Sequence, residues 1–457
     1  MGLGSRLVRS QVSGIAGRGA RWVAGVLAAV GLVACSGGGG DAAPGASAGT
    51  ATSGGAAAAG GVAEVSIYTM QLKPSYTAYM EGVFAAFEKA HPGVKVKWID
   101  VPAQDYTTKL LSLVAGGKSP DVQNLPYEDT LNMAGRGLLL NLDDKLTSAQ
   151  KDMYVGNIVK KACTVDGKLV ALPWYVATKV IMYNKEMFKA AGLDPEKPPV
   201  SATEAFAMAR AIKAKTGKFG FMMNFSESGQ MKDLLVEQAG VALTTPDMKK
   251  ATFNTPEATA LVTEYKKLFD EGVIPRESVT AEHRRAIELF KTGETAMLIS
   301  GPQFLLGMEK ETPEVYKAVG VGGDFPMKGT GEFAVAMQNL CVSAKSTHPK
   351  EATELALWVS NGENQLAFSK MVTIFPSVTE ALKDPYFTKA GDKPEDQARA
   401  ISATQLPKAT ISVPALPRMS ELNKVMEETM GDVLARGMDP AKALADAEAK
   451  WTAVLSK

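Results

Sequence analysis

The chain of 457 residues is long enough for two substantial lobes, and its 46% of hydrophobic residues can fill their cores. The formal net charge is +1, but four of the 50 basic residues lie in the first 21 positions, where no acid occurs, so the remainder holds 46 basic against 49 acidic residues. This slightly acidic balance argues against a nucleic-acid-binding surface, which normally needs a clear basic excess. With three cysteines and three histidines, we expect no metal site, and no other cofactor is indicated.

The N-terminal segment has the pattern of a bacterial export signal. Residues 1–21 are basic, and Trp22 to Ala34 form an apolar stretch of signal-peptide length, too short for a comfortable membrane span. The segment ends Leu32-Val33-Ala34-Cys35, which resembles the lipobox of bacterial lipoproteins, where the cysteine is diacylated and becomes the mature N-terminus. The resemblance predicts a lipoprotein signal peptide over residues 1–34 and lipidation of Cys35. The alternative is an ordinary signal peptide in which Cys35 is incidental and carries no lipid.

Residues 35–62 begin with Cys35 and are then nearly all Gly, Ala, Ser and Thr. Such a composition cannot bury a core and is typical of a flexible linker. We therefore expect a membrane-anchored protein whose globular part folds outside the cytoplasm, in the periplasm or at the cell surface.

The residues after the linker alternate between strand and helix patterns. The predicted elements are a strand over Ala63 to Met70, a helix over Tyr76 to Ala90, a strand over Val94 to Ile99, a helix around Thr107 to Ala115 and a strand at Asp121-Val122. Such a β-α-β-α-β unit builds a parallel sheet, and ligands gather at the carboxyl ends of its strands.

Polar and aromatic residues cluster at the ends of the first and third strands of this unit. A carboxylate in such a position can accept charge-assisted hydrogen bonds from two neighbouring hydroxyl groups of a ligand. A solvated acidic loop is the alternative for the acids, and Tyr68 could equally be a core residue. The candidate ligand contacts here are Tyr68, Gln71, Lys73, Asn124, Tyr127, Glu128 and Asp129.

The stretch from Gly167 to Pro198 has the pattern of a chain that crosses between lobes. Lys168 to Leu172 predicts a short strand that Pro173 closes, since proline cannot donate to a central ladder. A second strand, Val180 to Tyr183, follows with no helix between, and small ligands usually bind between lobes. The intervening aromatic residues, which are either stacking contacts or hinge packing, are Trp174 and Tyr175. Asn184 should cap a short helix that ends before Gly192.

From Ser201 the chain again alternates helices and short strands. A strand over Phe219 to Asn224 would bring two further polar candidates, Asn224 and Glu227, to the same cleft. The predicted helices are Ser201 to Thr216, Met231 to Gln238, Pro256 to Glu271, Ala281 to Thr292, Lys350 to Val359, Met419 to Leu434 and Ala441 to Leu455.

Several separate segments resemble family 1 extracellular solute-binding proteins, the maltose-binding-protein-like components of carbohydrate ABC importers. The segments are GKLVALPW, MYNKEMF, AAGLDP, SPDVQNLPYEDTLNMAGRGLLLNLDD and the pattern from Phe290 to Pro302. In relatives an aromatic residue often follows that Gly-Pro pair, whereas this chain has Gln303 there and Phe304 one position later. The resemblance adds Gly301 and Gln303 to the candidate contacts, and Asn339, just before a predicted strand over Leu340 to Ala344, completes them.

The resemblance implies an α/β, two-lobed periplasmic-binding-protein type II fold with hinge strands between two α/β lobes. We assign residues 63–175 and 338–372 to lobe 1, and residues 176–337 and 373–457 to lobe 2. A monomer of this kind would capture a mono- or oligosaccharide by hinge closure and deliver it to ABC permease subunits. Aromatic residues are only 7% of the chain, which favours a mono- or disaccharide.

The sequence leaves other functions open. The same fold could bind a polyamine, which an acidic cleft would favour, or a phosphorylated polyol, for which Lys73 and Arg418 are the cations to watch. A secreted glycoside hydrolase is the enzymatic alternative, but the three histidines are scattered and no HExxH motif occurs, so we expect no enzyme. Cys163 and Cys341 could form a disulfide or remain free core residues.

Overall fold

The computed structural model describes residues 62–413, 416 and 418–457. The predicted signal peptide, the lipidation site at Cys35 and all of the predicted linker except Val62 lie outside the described residues. Among the described residues, no helix combines the length and apolarity needed to cross a membrane.

The described strands form one six-stranded sheet, one three-stranded sheet and two short ribbons. The strands are β1 (Ala63–Met70), β2 (Val94–Val101), β3 (Val122–Pro126), β4 (Thr164–Val165), β5 (Lys168–Leu169), β6 (Leu172–Ala177), β7 (Val180–Asn184), β8 (Met297–Ser300), β9 (Val319–Gly323), β10 (Phe333–Ala334), β11 (Ala336–Val342), β12 (Phe375–Pro376) and β13 (Ala409–Thr410).

The helices pack around these sheets. They are α1 (Thr77–Ala90), α2 (Ala103–Ala115), α3 (Tyr127–Gly135), α4 (Ser148–Asp152), α5 (Gly156–Ile158), α6 (Lys185–Ala190), α7 (Ala202–Thr216), α8 (Gln230–Leu234), α9 (Pro256–Asp270), α10 (His283–Lys291), α11 (Met308–Glu311), α12 (Pro313–Lys317), α13 (Pro349–Val359), α14 (Gly362–Ser369), α15 (Pro394–Gln405), α16 (Met419–Leu434) and α17 (Pro440–Leu455). Two π-helical segments, Val159–Cys163 and Leu235–Ala239, continue α5 and α8.

The six-stranded sheet has the order β12-β6-β11-β3-β1-β2 and forms the first lobe. β1 pairs in parallel with β2 and β3, as predicted for the β-α-β-α-β unit. β11 pairs antiparallel with both β3 and β6. The first core includes Val65 and Ile67 of β1, Phe87 of α1 and Leu340 of β11, all fully buried.

The three-stranded sheet, in the order β8-β7-β9, forms the second lobe. Because side chains alternate across a strand, its two faces bury different clusters. Tyr183 and Met297 face a second core that includes Trp451, whereas Met182 and Leu298 face a third cluster. Asn184 caps α6 as predicted, since its side chain accepts hydrogen bonds from the backbone N–H groups of Glu186 and Met187, both at 3.0 Å.

Two predicted strand boundaries are wrong. Pro173 does not end a strand but lies inside β6, opposite Asn339, where the β6–β11 register shifts. This irregularity in the ladder accommodates a residue that has no N–H to donate. β3 extends to Pro126, so Asn124 lies within the strand, and Tyr127, Glu128 and Asp129 form the first turn of α3.

The predicted strand over Phe219 to Asn224 does not form. Phe219 makes a single bridge to Thr295, and the residues after it have no strand partner among the described residues. The segment is nevertheless apolar and buried, because Phe221, Met222 and Met223 pack into the second core and the third cluster. A short apolar run is compatible with several backbone conformations when tertiary packing decides.

The part of the chain that the structure describes passes between the lobes three times. It does so between β6 and β7, between β9 and β11, and between Phe387, which belongs to the first core, and Ala398, which belongs to the third cluster. The predicted boundary at residue 373 assigns Phe375, Val378 and Phe387 to lobe 2, but their side chains are buried in the first core and β12 pairs with β6.

Cys163 and Cys341 are free and buried in the first core. The Cys163 thiol donates a hydrogen bond to Asn339 Oδ1 at 3.4 Å. Burial raises the pKa of the Cys341 thiol to about 12, so this group is a neutral core residue near neutral pH.

Candidate functional site

Two adjoining cavities lie at the junction of the lobes. The interlobe cavity, of about 290 Å³, is lined from the first lobe by Pro126, Tyr127, Glu128, Met337 and Gln338 and from elsewhere by Lys179, Asp233, Glu237 and residues 411–413. The second-lobe cavity has a volume of about 470 Å³. Lys179, Asp233 and Glu237 line both, so one solute could contact both spaces through these residues.

The first-lobe wall of the interlobe cavity comes from the carboxyl end of β3. β3 runs directly into α3, which places Glu128 in the first turn of that helix, facing the second lobe. Tyr127 is half-buried, and its hydroxyl donates a hydrogen bond to the Val413 carbonyl at 3.4 Å. This position agrees with the rule that ligands collect at the carboxyl ends of parallel strands.

Lys179 is the charged centre of the junction. It lies in the crossing between β6 and β7, and its ammonium is 2.7 Å from Glu237 Oε2 and 3.6 Å from Asp324 Oδ2. The other Glu237 oxygen accepts a hydrogen bond from the Ser412 hydroxyl at 3.1 Å. Although burial opposes the charged form, Asp324 and Glu237 raise the pKa of Lys179, so it remains an ammonium.

A second lysine lies beneath the interlobe cavity. Only 1% of the Lys232 side chain is exposed, and its ammonium lies 3.3 Å from Asp233 Oδ2 and 3.6 Å from Glu128 Oε1. It also donates a hydrogen bond to the Ser228 carbonyl at 2.9 Å. Glu128 belongs to the first lobe and Asp233 to the second, so this ion pair spans the junction.

The carboxylates here have perturbed acidities. Burial raises the pKa of Asp233 to about 6, and the neighbouring Glu237 and Glu128 add to this effect while Lys232 and Lys179 oppose it. Burial likewise raises the pKa of Asp324, against the attraction of Lys179. Perturbed titratable groups in a cleft are typical of functional sites.

The second-lobe cavity has an apolar wall and a polar edge. The wall contains Phe206, Phe221 and Tyr265, whose hydroxyl donates a hydrogen bond to Gln238 Oε1 at 3.0 Å. At the edge, His283 Nε2 lies 2.7 Å from Ser300 Oγ. Burial lowers the pKa of His283, which favours the neutral imidazole. The cavity thus combines apolar surface with a few fixed polar groups, as small-molecule sites usually do.

Three of the residues predicted from the sequence line the cavities: Tyr127 and Glu128 the interlobe cavity, and Asn224 the second-lobe cavity. Glu227 lies at the edge of the latter, where it accepts hydrogen bonds from Asn224 Nδ2 at 3.3 Å and from the His283 backbone N–H at 2.7 Å. Asp129 accepts a hydrogen bond from the Thr107 hydroxyl at 3.0 Å, and burial raises the pKa of its carboxyl.

Gly301 and Gln303 follow β8, close to Ser300. The Gln303 side chain lies against Gly301, because a β-carbon at that glycine would be only 2.1 Å from Gln303 Oε1. This oxygen is buried and has no hydrogen-bond partner among the described residues. Neither residue lines the two cavities described above.

Several predicted contacts are buried in the first lobe. Tyr68 is fully buried, and its hydroxyl donates a hydrogen bond to the Tyr106 carbonyl at 3.2 Å. Trp174 is 1% exposed and stacks on Phe368 at 5.5 Å between ring centroids, with Tyr175 against the same ring. Asn339 is also fully buried, and its amide donates hydrogen bonds to Thr130 Oγ1 and the Ala162 carbonyl.

The remaining predicted contacts lie along β3 and after β1. Asn124 is 1% exposed, and its Nδ2 donates a hydrogen bond to Gln338 Oε1 at 2.7 Å, so it supports a lining residue of the interlobe cavity. Gln71 and Lys73 are in an exposed loop, where the Asp100 carboxylate accepts from the Lys73 backbone N–H at 3.0 Å. The Lys73 ammonium lies 4.2 Å from the centre of the Trp98 ring.

Sequence reasoning missed four charged residues that converge at the junction: Lys179, Asp233, Glu237 and Asp324. Lys179 lies within the predicted crossing, so its position between the two predicted strands was an available signal. Asp233 and Glu237 are four positions apart and therefore share one helix face. Nothing local distinguishes them from solvated helix charges. Among the described residues, no group of three or more potential ligands could hold a metal ion.

Comparison with known proteins agrees with this architecture. The family model described as bacterial extracellular solute-binding protein matches residues 71–366. A protein of Brucella abortus strain 2308 named "Putative binding protein" is 24% identical over 399 residues, 86% of this chain and 94% of that protein. The galactooligosaccharide-binding protein of Bacillus subtilis strain 168 is 24% identical over 378 residues, 79% of this chain and 82% of that protein.

A solved structure from Synechococcus sp. MITs9220, described as a putative oligosaccharide periplasmic-binding protein, is 30% identical. It superposes with a TM-score of 0.79 over 86% of this chain and 99% of that one. The resemblance and the two-lobed α/β fold predicted from the sequence are thereby confirmed. The family consists of binding proteins and not of enzymes. This chain belongs to the bacterial extracellular solute-binding protein family.

Proposed function

We propose that this protein captures a sugar, either a mono- or an oligosaccharide, between its two lobes and delivers it to the permease of an ABC importer. The observation that carries this proposal is the interlobe cavity, which Glu128 lines from the first lobe and Asp233 lines from the second. A solute in this cavity contacts both lobes only when they are close together. Binding therefore shifts the population towards the closed form.

The chemistry of the two cavities supports a hydroxylated ligand. Carboxylates such as Asp233 and amides such as Gln338 can accept or donate hydrogen bonds at the polar edge of a sugar. The aromatic wall formed by Phe206 and Phe221 offers apolar surface to its C–H face. Both the B. subtilis relative and the Synechococcus structure are named for oligosaccharide binding.

We further propose that the protein is a monomer and that a diacylated Cys35 anchors it to the membrane. The flexible segment after Cys35 would let the globular part reach the permease. Lipid anchoring rests on the lipobox-like sequence Leu32-Val33-Ala34-Cys35 alone. An extracytoplasmic location follows from the family.

A cationic solute such as a polyamine is a second candidate, and one observation favours it. Four carboxylates, those of Glu128, Asp233, Glu237 and Asp324, surround only two ion-paired lysines, Lys179 and Lys232. The net charge of this group is therefore negative when all six side chains are ionised. A sugar needs no such excess, whereas an ammonium group would balance it.

Thermal-shift measurements separate these candidates. The chain from residue 36 onward is mixed with glucose, galactose, maltose, maltotetraose, spermidine or glycerol 3-phosphate. We expect a sugar to raise the melting temperature, because a ligand at a hundredfold excess over its Kd stabilises the folded state by about 2.7 kcal/mol. Asp247→Asn, an exposed change outside both cavities, is the control and should respond like the wild type.

The pattern of responses decides between the proposals. Stabilisation by spermidine and by none of the sugars would replace the sugar with a cationic solute. Stabilisation by glycerol 3-phosphate alone would point to a phosphorylated polyol. A melting temperature that none of the six compounds changes would contradict the proposed function.

A further inference from the structure

Lys232 is an unusual residue in this molecule because its side chain is buried and is also ion-paired across the lobe junction. It lies on α8, with 1% of its side chain exposed. Within its own lobe it contacts Asp233 Oδ2 at 3.3 Å and the Ser228 carbonyl at 2.9 Å. Its partner from the first lobe is Glu128, at 3.6 Å.

Burial of an ammonium group is costly unless its partners replace the lost water. Asp233 and the Ser228 carbonyl belong to the second lobe and would stay in place if the lobes moved apart. Glu128 would not, because it is carried by α3 of the first lobe. Separation of the lobes therefore removes one of the two carboxylates that neutralise Lys232.

The two carboxylates that Lys232 holds are also lining residues of the interlobe cavity. Lys232 contacts one oxygen of each: Oε1 of Glu128 and Oδ2 of Asp233. The other oxygens, Glu128 Oε2 and Asp233 Oδ1, accept no hydrogen bond from the described part of the chain. They are thus available to a hydrogen-bond donor on a solute.

We propose that Lys232 is a positioning residue that couples solute recognition to lobe closure. By pairing with one carboxylate from each lobe, it brings the free oxygens of Glu128 and Asp233 to the same edge of the cavity, where they accept hydrogen bonds from the solute's hydroxyl groups. This inference rests on the proposed sugar-binding function and specifies how its site is assembled. Lys232 itself stays beneath the cavity and does not contact the solute.

This arrangement has a consequence for the pH dependence of binding. Burial is the main cause that raises the pKa of Asp233 to about 6. Among the charged groups that act on it, Lys232 and Lys179 lower this pKa, whereas Glu237 and Glu128 raise it. Protonation of Asp233 removes the negative charge that pairs with Lys232 and that strengthens the hydrogen bonds it accepts. Affinity should therefore fall as the pH decreases through this value.

The test compares Lys232→Met, Lys232→Arg and Glu128→Gln in the full globular chain, using calorimetric titration with glucose, galactose, maltose and maltotetraose between pH 5 and pH 8. For the sugars that the wild type binds, Lys232→Met should weaken binding roughly 10- to 100-fold. This is the range expected when a carboxylate that Lys232 no longer positions loses its charged hydrogen bond with the solute. Lys232→Arg should restore most of the affinity. Lys383→Met, which removes an exposed ion pair with Glu380, should leave it unchanged.

The pH profile distinguishes positioning from general structural support. Loss of the Lys232 charge should raise the pH at which affinity falls, because an attraction that lowers the pKa of Asp233 is removed. Glu128→Gln should also weaken binding but move this pH downwards, because a repulsion that raises that pKa is removed. Glu128 is 43% exposed, so this variant keeps the test valid even if Lys232→Met does not fold.

Each outcome has a defined meaning. The inference would be supported if the pH at which affinity falls shifts in opposite directions in Lys232→Met and Glu128→Gln. If Lys232→Met does not fold, weakened binding and a downward shift of this pH in Glu128→Gln alone would support it. Sugar binding by the wild type with an unmoved profile in the variants would overturn it and leave the proposed function intact. A wild type that binds none of the four sugars would reject the proposed function, and this inference with it.

Discussion

Asp233 lies where the two cavities meet and is surrounded by charges of both signs. Its Oδ2 pairs with Lys232 at 3.3 Å, while Glu237 and Glu128 are near enough to oppose its ionisation. Burial dominates the balance and raises its pKa to about 6. Such a residue is kept at a cost in stability near neutral pH, which is typical of groups retained for binding.

This cost predicts the pH dependence of folding. Because the pKa of Asp233 is higher in the folded state than its ordinary value of 3.8, its contribution to stability is fully present below 3.8 and is lost as the pH rises through about 6. Asparagine does not titrate, so the stability of Asp233→Asn does not include this pH-dependent contribution. The free energy of unfolding of Asp233→Asn minus that of the wild type should therefore be larger at pH 7 than at pH 4, which urea unfolding at the two pH values would measure.

The expected difference is at most about 3 kcal/mol and is reduced by the partial exposure of the side chain. Asp247→Asn is the control, because hydrogen bonds from Thr245 and the Lys249 backbone lower the pKa of Asp247. Its effect should have the opposite sign and appear below pH 4. A relative stability of Asp233→Asn that is constant with pH would show that Asp233 is not perturbed.

At the scale of single elements, β9, at the edge of the three-stranded sheet, shows how glycine allows a strand to fit against its neighbours. β9 reads Val-Gly-Val-Gly-Gly and pairs antiparallel with β7. A β-carbon on Gly320 would lie 2.3 Å from Cζ of Tyr183, and one on Gly322 would lie 2.6 Å from the side chain of Pro198. The absence of side chains at these two positions thus leaves room for Tyr183 and Pro198 against the strand.

Gly320→Ala should therefore destabilise the second lobe. The Tyr183 ring is 2% exposed and its hydroxyl donates to the Pro195 carbonyl at 2.9 Å, so it cannot move without loss of packing. Overpacking of this kind costs about 1–3 kcal/mol, which urea unfolding would measure. Gly82→Ala in the exposed face of α1, where a β-carbon meets nothing within 4 Å, should instead stabilise, by about 0.5–1 kcal/mol. Equal effects of the two changes would contradict the packing argument.

At the scale of the whole molecule, Lys179 links two of the segments that pass between the lobes. It lies in the crossing from β6 to β7, and its partner Asp324 lies just after β9, at the start of the crossing to β11. Glu237, its other partner, also accepts a hydrogen bond from Ser412. The hinge and the cavities thus share one ion-pair network, so occupancy of the cavities can influence the hinge.

Lys179→Met should loosen this network. Loss of the ammonium leaves Glu237 and Asp324 without a counter-charge. We expect the free energy of unfolding to decrease by no more than about 3 kcal/mol, because the site is partly exposed. Hydrogen exchange at β9 and at residues 235–239 should accelerate, and urea unfolding should detect the lower stability.

Lys218→Met removes an exposed pair with Glu294 that joins no crossing, where the two side chains are 40% and 48% exposed. It is the matched control for Lys179→Met and should cost less than about 1 kcal/mol. A Lys179→Met protein as stable and as protected from exchange as this control would refute the role of Lys179 at the hinge.

Local chemistry was sufficient for much of the fold. Regular periodicity predicted α1, α9 and α16 nearly to their ends, and the cap at Asn184 was confirmed by two backbone hydrogen bonds. Local chemistry was insufficient where packing overrides propensity. Pro173 is accepted inside β6 because the ladder is irregular there, and the apolar run after Phe219 is buried without becoming a strand.

The sequence by itself predicted the two-lobed class of this protein, a crossing within Gly167 to Pro198 and the position of Glu128 just after a buried strand, because periodicity, caps and ordered motifs are properties of neighbouring residues. Only the tertiary structure decided which polar residues meet. Lys232 pairs with a residue 104 positions away, and Trp174 is buried in the first core, where it stacks on Phe368. The physical reason is that ion pairing and burial depend on distances in space, which no local pattern of side chains encodes.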